Sequence, residues 1–239
     1  MEYKLNSNLE ENFNKALNLC EAELSHEGLI NLLREGDVPE RQFAALSLDS
    51  LIGEDDVKAF MSNLTGCDGK IREAVASRLD EFLTDETKLL FTPYYEVFAD
   101  ATIDINANIS RMVIDALQRL IQDEDFGKNY STILVRFMNE AFDEISKIKF
   151  RDKKYVLNKQ LFKMYWALEG LVGFYAYVDK SVLYEILAKV LERPEYTIRE
   201  KAAEVLVKVA DFAKFSSLVE IVLKDENFYV RRVLEKLEV

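Results

Sequence analysis

A single histidine, His26, limits what this 239-residue chain can do in proton transfer and metal binding. Zinc sites of the Cys/His type need three or four ligands at close spacing. Cys20 and Cys67 stand far apart and form no CxxC, so no metal is expected. A Ser-His-acid triad would have to be built on His26, which falls at the start of a predicted helix and is expected to be exposed. The segment DEDFG (123–127) has the letters of a kinase magnesium loop, but no Gly-rich loop or HRD segment accompanies it. It also fails as a calcium loop, because the twelfth position counted from Asp123 is Leu134. It reads instead as the connection to a helix over 129–147. No GxGxxG or GxxxxGKS/T motif supplies a phosphate cradle. Asp55-Asp56 and Asp85-Glu86 fall at predicted helix starts, where carboxylates complement the dipole. Neither a catalytic residue nor a cofactor follows, and the chain is expected to be non-enzymatic.

One stretch does carry binding chemistry. Lys147, Lys149, Arg151, Lys153, Lys154, Lys159 and Lys163 are opposed by Asp152 alone and interleaved with Phe150, Tyr155, Phe162, Tyr165 and Trp166. Cations beside aromatic faces can hold phosphates and stack bases. The competing reading makes the aromatics core residues at helical spacing and the lysines a solvated rim. Net charge bears on the choice. The chain carries 31 Lys+Arg and 43 Asp+Glu, a formal −12. Residues 1–100 hold 9 Lys+Arg against 21 Asp+Glu, whereas residues 101–239 hold 22 of each. Phosphate contacts supply most non-specific nucleic-acid affinity, so a chain this acidic is not expected to bind nucleic acid. An anion-preferring patch over 147–166 and basic protein segments at the acidic N-terminal part are the partners expected.

The elements that would position these residues are helices. Eight Gly and three Pro are few for this length, which suits long helices rather than turn-rich sheets. Ser7 and Glu10 have capping-box spacing before a helix over about 8–24. Ser25 and Gly36 bracket a short helix. Asp37 with Glu40 and Pro39 opens the next, which stops at Gly53, and another follows over 54–64. Asp68 caps KIREAVASRLDEFL, Thr92-Pro93 opens a short aromatic helix, and Asp179 caps a further one. The most apolar run, 164–178, contains Glu169 and falls short of the ~20 residues of a membrane span. The polar opening MEYKLNSNLEENF does not read as a secretory leader. Both cysteines are expected to be buried, reduced and cytoplasmic.

A phrase recurs along the chain. Leu33, Leu64, Leu191 and Leu223 each stand eight residues before an arginine: Arg41, Arg72, Arg199 and Arg231. Small residues follow three of these arginines: Ala44 and Ala45, Val75 and Ala76, Ala202 and Ala203. A leucine comes next, at 48, 79 and 206. ANISRMVIDALQRLI repeats the pattern with Ser110 in the arginine's place. Intervals of 31, 38, 89 and 32 fit one unit per helix pair, the long gap holding two units of about 45. Helix pairs of this kind each have an apolar face that only a neighbouring pair can bury.

LKDENFYVRRVLEKL (223–237), with LERPEYTIREKAAEVL and LTGCDGKIREAVASRL as looser copies, resembles the HEAT-repeat family. The resemblance implies an all-α fold: an α-α superhelix, a right-handed solenoid of about six HEAT-like helix pairs. It implies one domain over 1–239, with clear repeats at 33–83 and 191–239 and a degenerate middle at 84–190. It further implies structural ladder pairs, Asp225 with Arg231 and Asp68 with Arg72, and a scaffold that binds protein partners on the concave face of its second helices. HEAT-like alkylpurine DNA glycosylases use tryptophan and aspartate in a basic groove, but Trp166 is the sole tryptophan here and its helix neighbour is Glu169. Other HEAT-like proteins are tetrapyrrole lyases or chaperones, for which the Tyr/Trp-rich helix would be the lining.

Overall fold

The computed structural model describes residues 7–148, 154–209 and 212–235, and every regular element among them is helical. In chain order these are α1 (Ser7–Glu21), α2 (His26–Glu35), α3 (Val38–Ser47), α4 (Glu54–Met61), α5 (Gly69–Phe82), α6 (Lys88–Phe91), α7 (Tyr95–Thr102), α8 (Ala107–Leu117), α9 (Glu124–Lys147), α10 (Lys154–Phe174), α11 (Lys180–Leu191), α12 (Tyr196–Lys208), α13 (Phe212–Leu223) and α14 (Phe228–Glu235).

Packing sorts them into two layers. First helices α2, α4, α6 with α7, α9, α11 and α13 touch in sequence, and so do second helices α3, α5, α8, α10, α12 and α14, with α1 added beside α3. This makes six stacked pairs among the described residues, the solenoid that the recurring phrase predicts. The core is one continuous cluster from Leu29 to Leu234. The small residues of the phrase do the close packing, with Ala44, Ala45, Val75, Ala76, Ala202 and Ala203 all buried on second helices. Helices can approach to the short end of ~8–10 Å where such residues meet.

Local chemistry sets most boundaries. Asp37 and Glu40 form the full capping box, and Ser25, Asp68 and Asp179 cap α2, α5 and α11. Asp123 caps α9 through the Phe126 N–H at 2.8 Å, so DEDFG is not a connecting loop. Its last four residues are the first turn of the helix, with Phe126 and Gly127 buried. Cys20 and Cys67 are exposed, not buried. Cys67 lies beside the turn at Gly66, whose φ of 126° suits glycine, and Cys20 is near the end of the outermost helix.

The pair α9–α10 departs from the others. At 24 and 21 residues, against 8 to 14 for most neighbours, these helices run about 36 and 32 Å. Burial stops at Ala141 on α9 and resumes at Met164 on α10, so the ends facing the 148–153 connection project beyond the stack. That extension lengthens the interval between Ser110 and Arg199.

The arginines of the phrase tie successive pairs together at the turns. Arg72, at the start of α5, donates from Nε and Nη2 to Asp104 in the α7–α8 turn, at 2.6 and 3.2 Å. Arg199, at the start of α12, does the same to Asp225 in the α13–α14 turn, at 2.7 and 3.0 Å. Arg41 donates to Asn63 in the α4–α5 turn at 3.2 Å. Each also donates backward to its own turn: Arg72 to the Gly66 carbonyl, Arg199 to those of Arg193 and Pro194, Arg41 to those of Arg34 and Gly36. The pairing inferred from the family resemblance is thus corrected. Asp68 uses its carboxylate on the Lys70 and Ile71 N–H groups. Asp225 gives Arg231 only its backbone carbonyl, because its carboxylate already holds Arg199.

Both ion pairs are almost fully enclosed, the Arg199 and Asp225 side chains being 8% and 6% exposed. Removing one partner of such a pair leaves an uncompensated buried charge, at a cost of about 3–5 kcal/mol. Asp225→Ala is therefore expected to destabilise the chain by that amount in urea unfolding. The joint replacement Arg199→Met/Asp225→Leu should cost less than Asp225→Ala alone. The Arg199 guanidinium also holds the Asp225 carboxyl below its ordinary range. Stability from this pair is present above about pH 4, the unfolded value, and is lost as pH falls through the folded one. Between pH 5 and 3 the wild type should lose stability more steeply than Asp225→Asn.

Candidate functional site

The second-helix layer carries two shallow grooves of about 480 Å³ each. One runs across α3, α5 and α8, with Leu46, Lys70, Glu73, Ser77, Arg111 and Met112 among its lining. The other runs across α10, α12 and α14, with Val172, Glu200, Glu204, Lys208, Tyr229 and Arg232. Each touches three consecutive second helices. Half-exposed Leu46 gives the first groove an apolar floor among mixed charges.

Between α10 and α12 on this layer lies an ionic cluster. Lys201 of α12 is ion-paired with Glu169 of α10 and with Glu204 at 2.7 Å, and its ammonium sits 5.3 Å from the centre of the Tyr165 ring. Burial lowers the pKa of this ammonium, but its two carboxylates outweigh burial and push it well above its ordinary value. Trp166 beside them is buried against Phe162 and Tyr165, with ring centroids 6.1 and 5.2 Å away. Its Nε1 has no hydrogen-bond partner. The indole therefore offers no face to a flipped base or a macrocycle, and Glu169 is committed to Lys201.

The described lysines of the basic block divide by their partners. Lys149, Arg151 and Lys153 lie outside the described residues. Lys147 is paired with Glu144 and Lys163 with Glu140, both at 2.8 Å, and the Lys163 ammonium lies 4.4 Å over the Phe137 ring. Tyr165 is half-buried and Trp166 is core. Lys154 and Lys159 remain exposed on the projecting part of α10. Lys159 borders a third groove, of about 490 Å³, between α10 and the α7–α8 turn, with Ile103, Ile105, Tyr155, Asn158, Gln160, Phe162 and Lys163. Sequence reasoning missed Ile103 and Ile105, since nothing in the local pattern sets the turn after α7 beside a helix fifty residues on. An unusual signal was present: Ile105 sits between Asp104 and Asn106, where a turn ordinarily takes polar residues.

His26 is not part of a triad. Its Nε2 meets Asp56 Oδ2 at 2.7 Å, while the Ser25 hydroxyl accepts from the Gly28 N–H as a helix cap. Among the described residues no cluster of His, Cys, Asp and Glu could hold a metal ion, and no helix is long and apolar enough to cross a membrane.

The Glu169–Lys201–Glu204 cluster makes a separable stability prediction. Lys201→Met should destabilise by about 3–5 kcal/mol at neutral pH, because Glu169 is left unpaired. Lys201→Met/Glu169→Gln should recover most of the loss in chemical denaturation.

No family model matches the chain, and no curated protein matches it. Among solved structures, the chain is similar to an archaeal HEAT-like repeats protein from Thermococcus onnurineus NA1. The TM-score is 0.44 at 12% identity, covering 89% of this chain and 78% of that one. The solenoid assignment stands on the chain's own geometry, the two helix layers and the Arg–Asp bonds between successive turns.

Proposed function

We propose that this chain is a non-enzymatic scaffold that binds a protein partner along the layer of second helices. The carrying observation is that both grooves of that layer each span three consecutive second helices. A recessed, elongated surface accepts a chain segment along its length, whereas a small substrate needs a closed pocket lined by converging polar groups. A stable protein interface buries about 800 Å² on each side, and a segment crossing three helices can reach that area. The carboxylate excess in residues 1–100 supports partner segments bearing basic residues on that part of the surface. The side-chain bonds of Arg41, Arg72 and Arg199 to the next turn fix the spacing of the second helices there, so the surface is preformed and its binding carries little ordering cost.

Leu46→Glu/Met112→Glu places two charges in the first groove, at an exposed position and a half-buried one. Affinity purification from the native cell with quantitative mass spectrometry is expected to show partner recovery at least tenfold below wild type. Cross-links in the wild-type complex should fall on α3, α5 and α8. Equal recovery with both chains, or cross-links confined to first helices, would show that the partner binds elsewhere.

A further inference from the structure

The groove beside the projecting α9–α10 hairpin differs from the two second-helix grooves in the acids of its lining. Its lining contains no carboxylate and two lysines, Lys159 and Lys163. The two second-helix grooves each include at least one: Glu200 and Glu204, or Glu73. In a chain with 43 Asp+Glu against 31 Lys+Arg, a groove lined without an acid is a local exception. Lys154 and Lys159 form no ion pair with any described residue. Lys147 and Lys163 on the same hairpin are held by glutamates and are excluded from the site's net charge.

The same groove exposes apolar surface. Ile105 is 70% and Tyr155 66% exposed, from the two walls, with half-buried Ile103 and Phe162 between them. Isolated exposed apolar residues need no explanation. Two of them lining one groove, with Lys159 in the same lining carrying no ion pair to any described residue, describe a recognition surface. The volume, about 490 Å³, accommodates a few side chains rather than a folded domain.

We infer that this groove binds an acidic, amphipathic protein segment, whose apolar side chains enter between Ile105 and Tyr155 while its carboxylates pair with Lys154 and Lys159. The occupant is set by charge complementarity. Lys159 stands in a lining without a carboxylate, and Lys154 precedes Tyr155 on the same helix, so this groove attracts carboxylates; two lysines beside an apolar groove suit an acidic peptide rather than the evenly spaced phosphates of a nucleic acid. This site is separate from the second-helix surface. A partner could engage either alone, or both through one continuous segment with the gain that tethering brings.

The test selects a random 16-residue phage-displayed peptide library against the full chain, then measures the enriched peptides by fluorescence anisotropy. Enriched sequences are expected to combine Asp or Glu with large apolar residues. Their affinity should fall at least tenfold for Lys154→Glu/Lys159→Glu and for Ile105→Asp, and should weaken with added salt. All three positions are exposed, so the helical circular dichroism and urea midpoint should stay at wild-type values. Leu46→Glu/Met112→Glu should leave this binding unchanged, which separates failure here from failure of the second-helix reading. No enrichment, enrichment of basic or uncharged sequences, or indifference to the hairpin variants would overturn the assignment. Retention of duplex DNA at physiological salt, lost in Lys154→Glu/Lys159→Glu, would do so as well, in favour of a nucleic-acid site.

Discussion

A guanidinium buried between two turns must have a carboxylate or carbonyl at each end of its fork, and the geometry of the stack follows from that requirement. Arg72 and Arg199 each close their own turn from one nitrogen and grip the next turn's aspartate with two others. Apolar burial supplies the drive to stack, but it is non-directional and would tolerate one pair sliding on the next. The fork does not tolerate sliding, since a planar bidentate bond is lost with a shift of about an ångström. A buried ion pair repays its desolvation narrowly, so its contribution lies more in register than in net stability.

The exceptions to the ladder follow the same rule. Ser110 occupies the arginine position of α8, and its hydroxyl donates to the Asp104 carbonyl at 3.1 Å, the backward bond alone. A forward bond would need the turn of the next pair, yet that pair is α9–α10, whose helices carry on to Lys147 and from Lys154 well past the stack. An arginine at 110 would be buried with its fork half filled, and a fully buried serine avoids that cost. Arg41 pairs with Asn63 rather than an aspartate, and Asn63 in turn donates to the Leu33 and Ala59 carbonyls, which a carboxylate could not do.

Much of the fold was therefore present in residue spacing. The eight-residue lead to each arginine, the small residues after it and the acidic caps are local, and local patterns specify helix starts and the face a helix buries. Two things were not local. Which aspartate answers which arginine depends on the stacking direction, so Asp68, near Arg72 in sequence, lost to Asp104, thirty-two residues on. The composition of the hairpin groove depends on the turn after α7 meeting the side of α10. The basic run was visible in sequence, but the run alone could not separate the lysines neutralised by Glu140 and Glu144 from those left unpaired.

The long hairpin is where regularity gives way. A solenoid of equal pairs offers two smooth layers and a row of turns that the ladder occupies, so each turn's polar groups are spent on holding the neighbour. Lengthening one pair carries a piece of helix past that row, where none of its described residues is fully buried and no ladder arginine reaches it. Residues there are released from the core and the ladder alike. This is why exposed lysines and an exposed tyrosine persist on α10 only before Leu161, while the aromatic residues beyond it are half-buried, as Phe162 and Tyr165 are, or buried, as Trp166 and Phe174 are. The same helix is core at one end and free surface at the other. The change occurs where the stack ends, and the α7–α8 turn at that border brings Ile105 to face it.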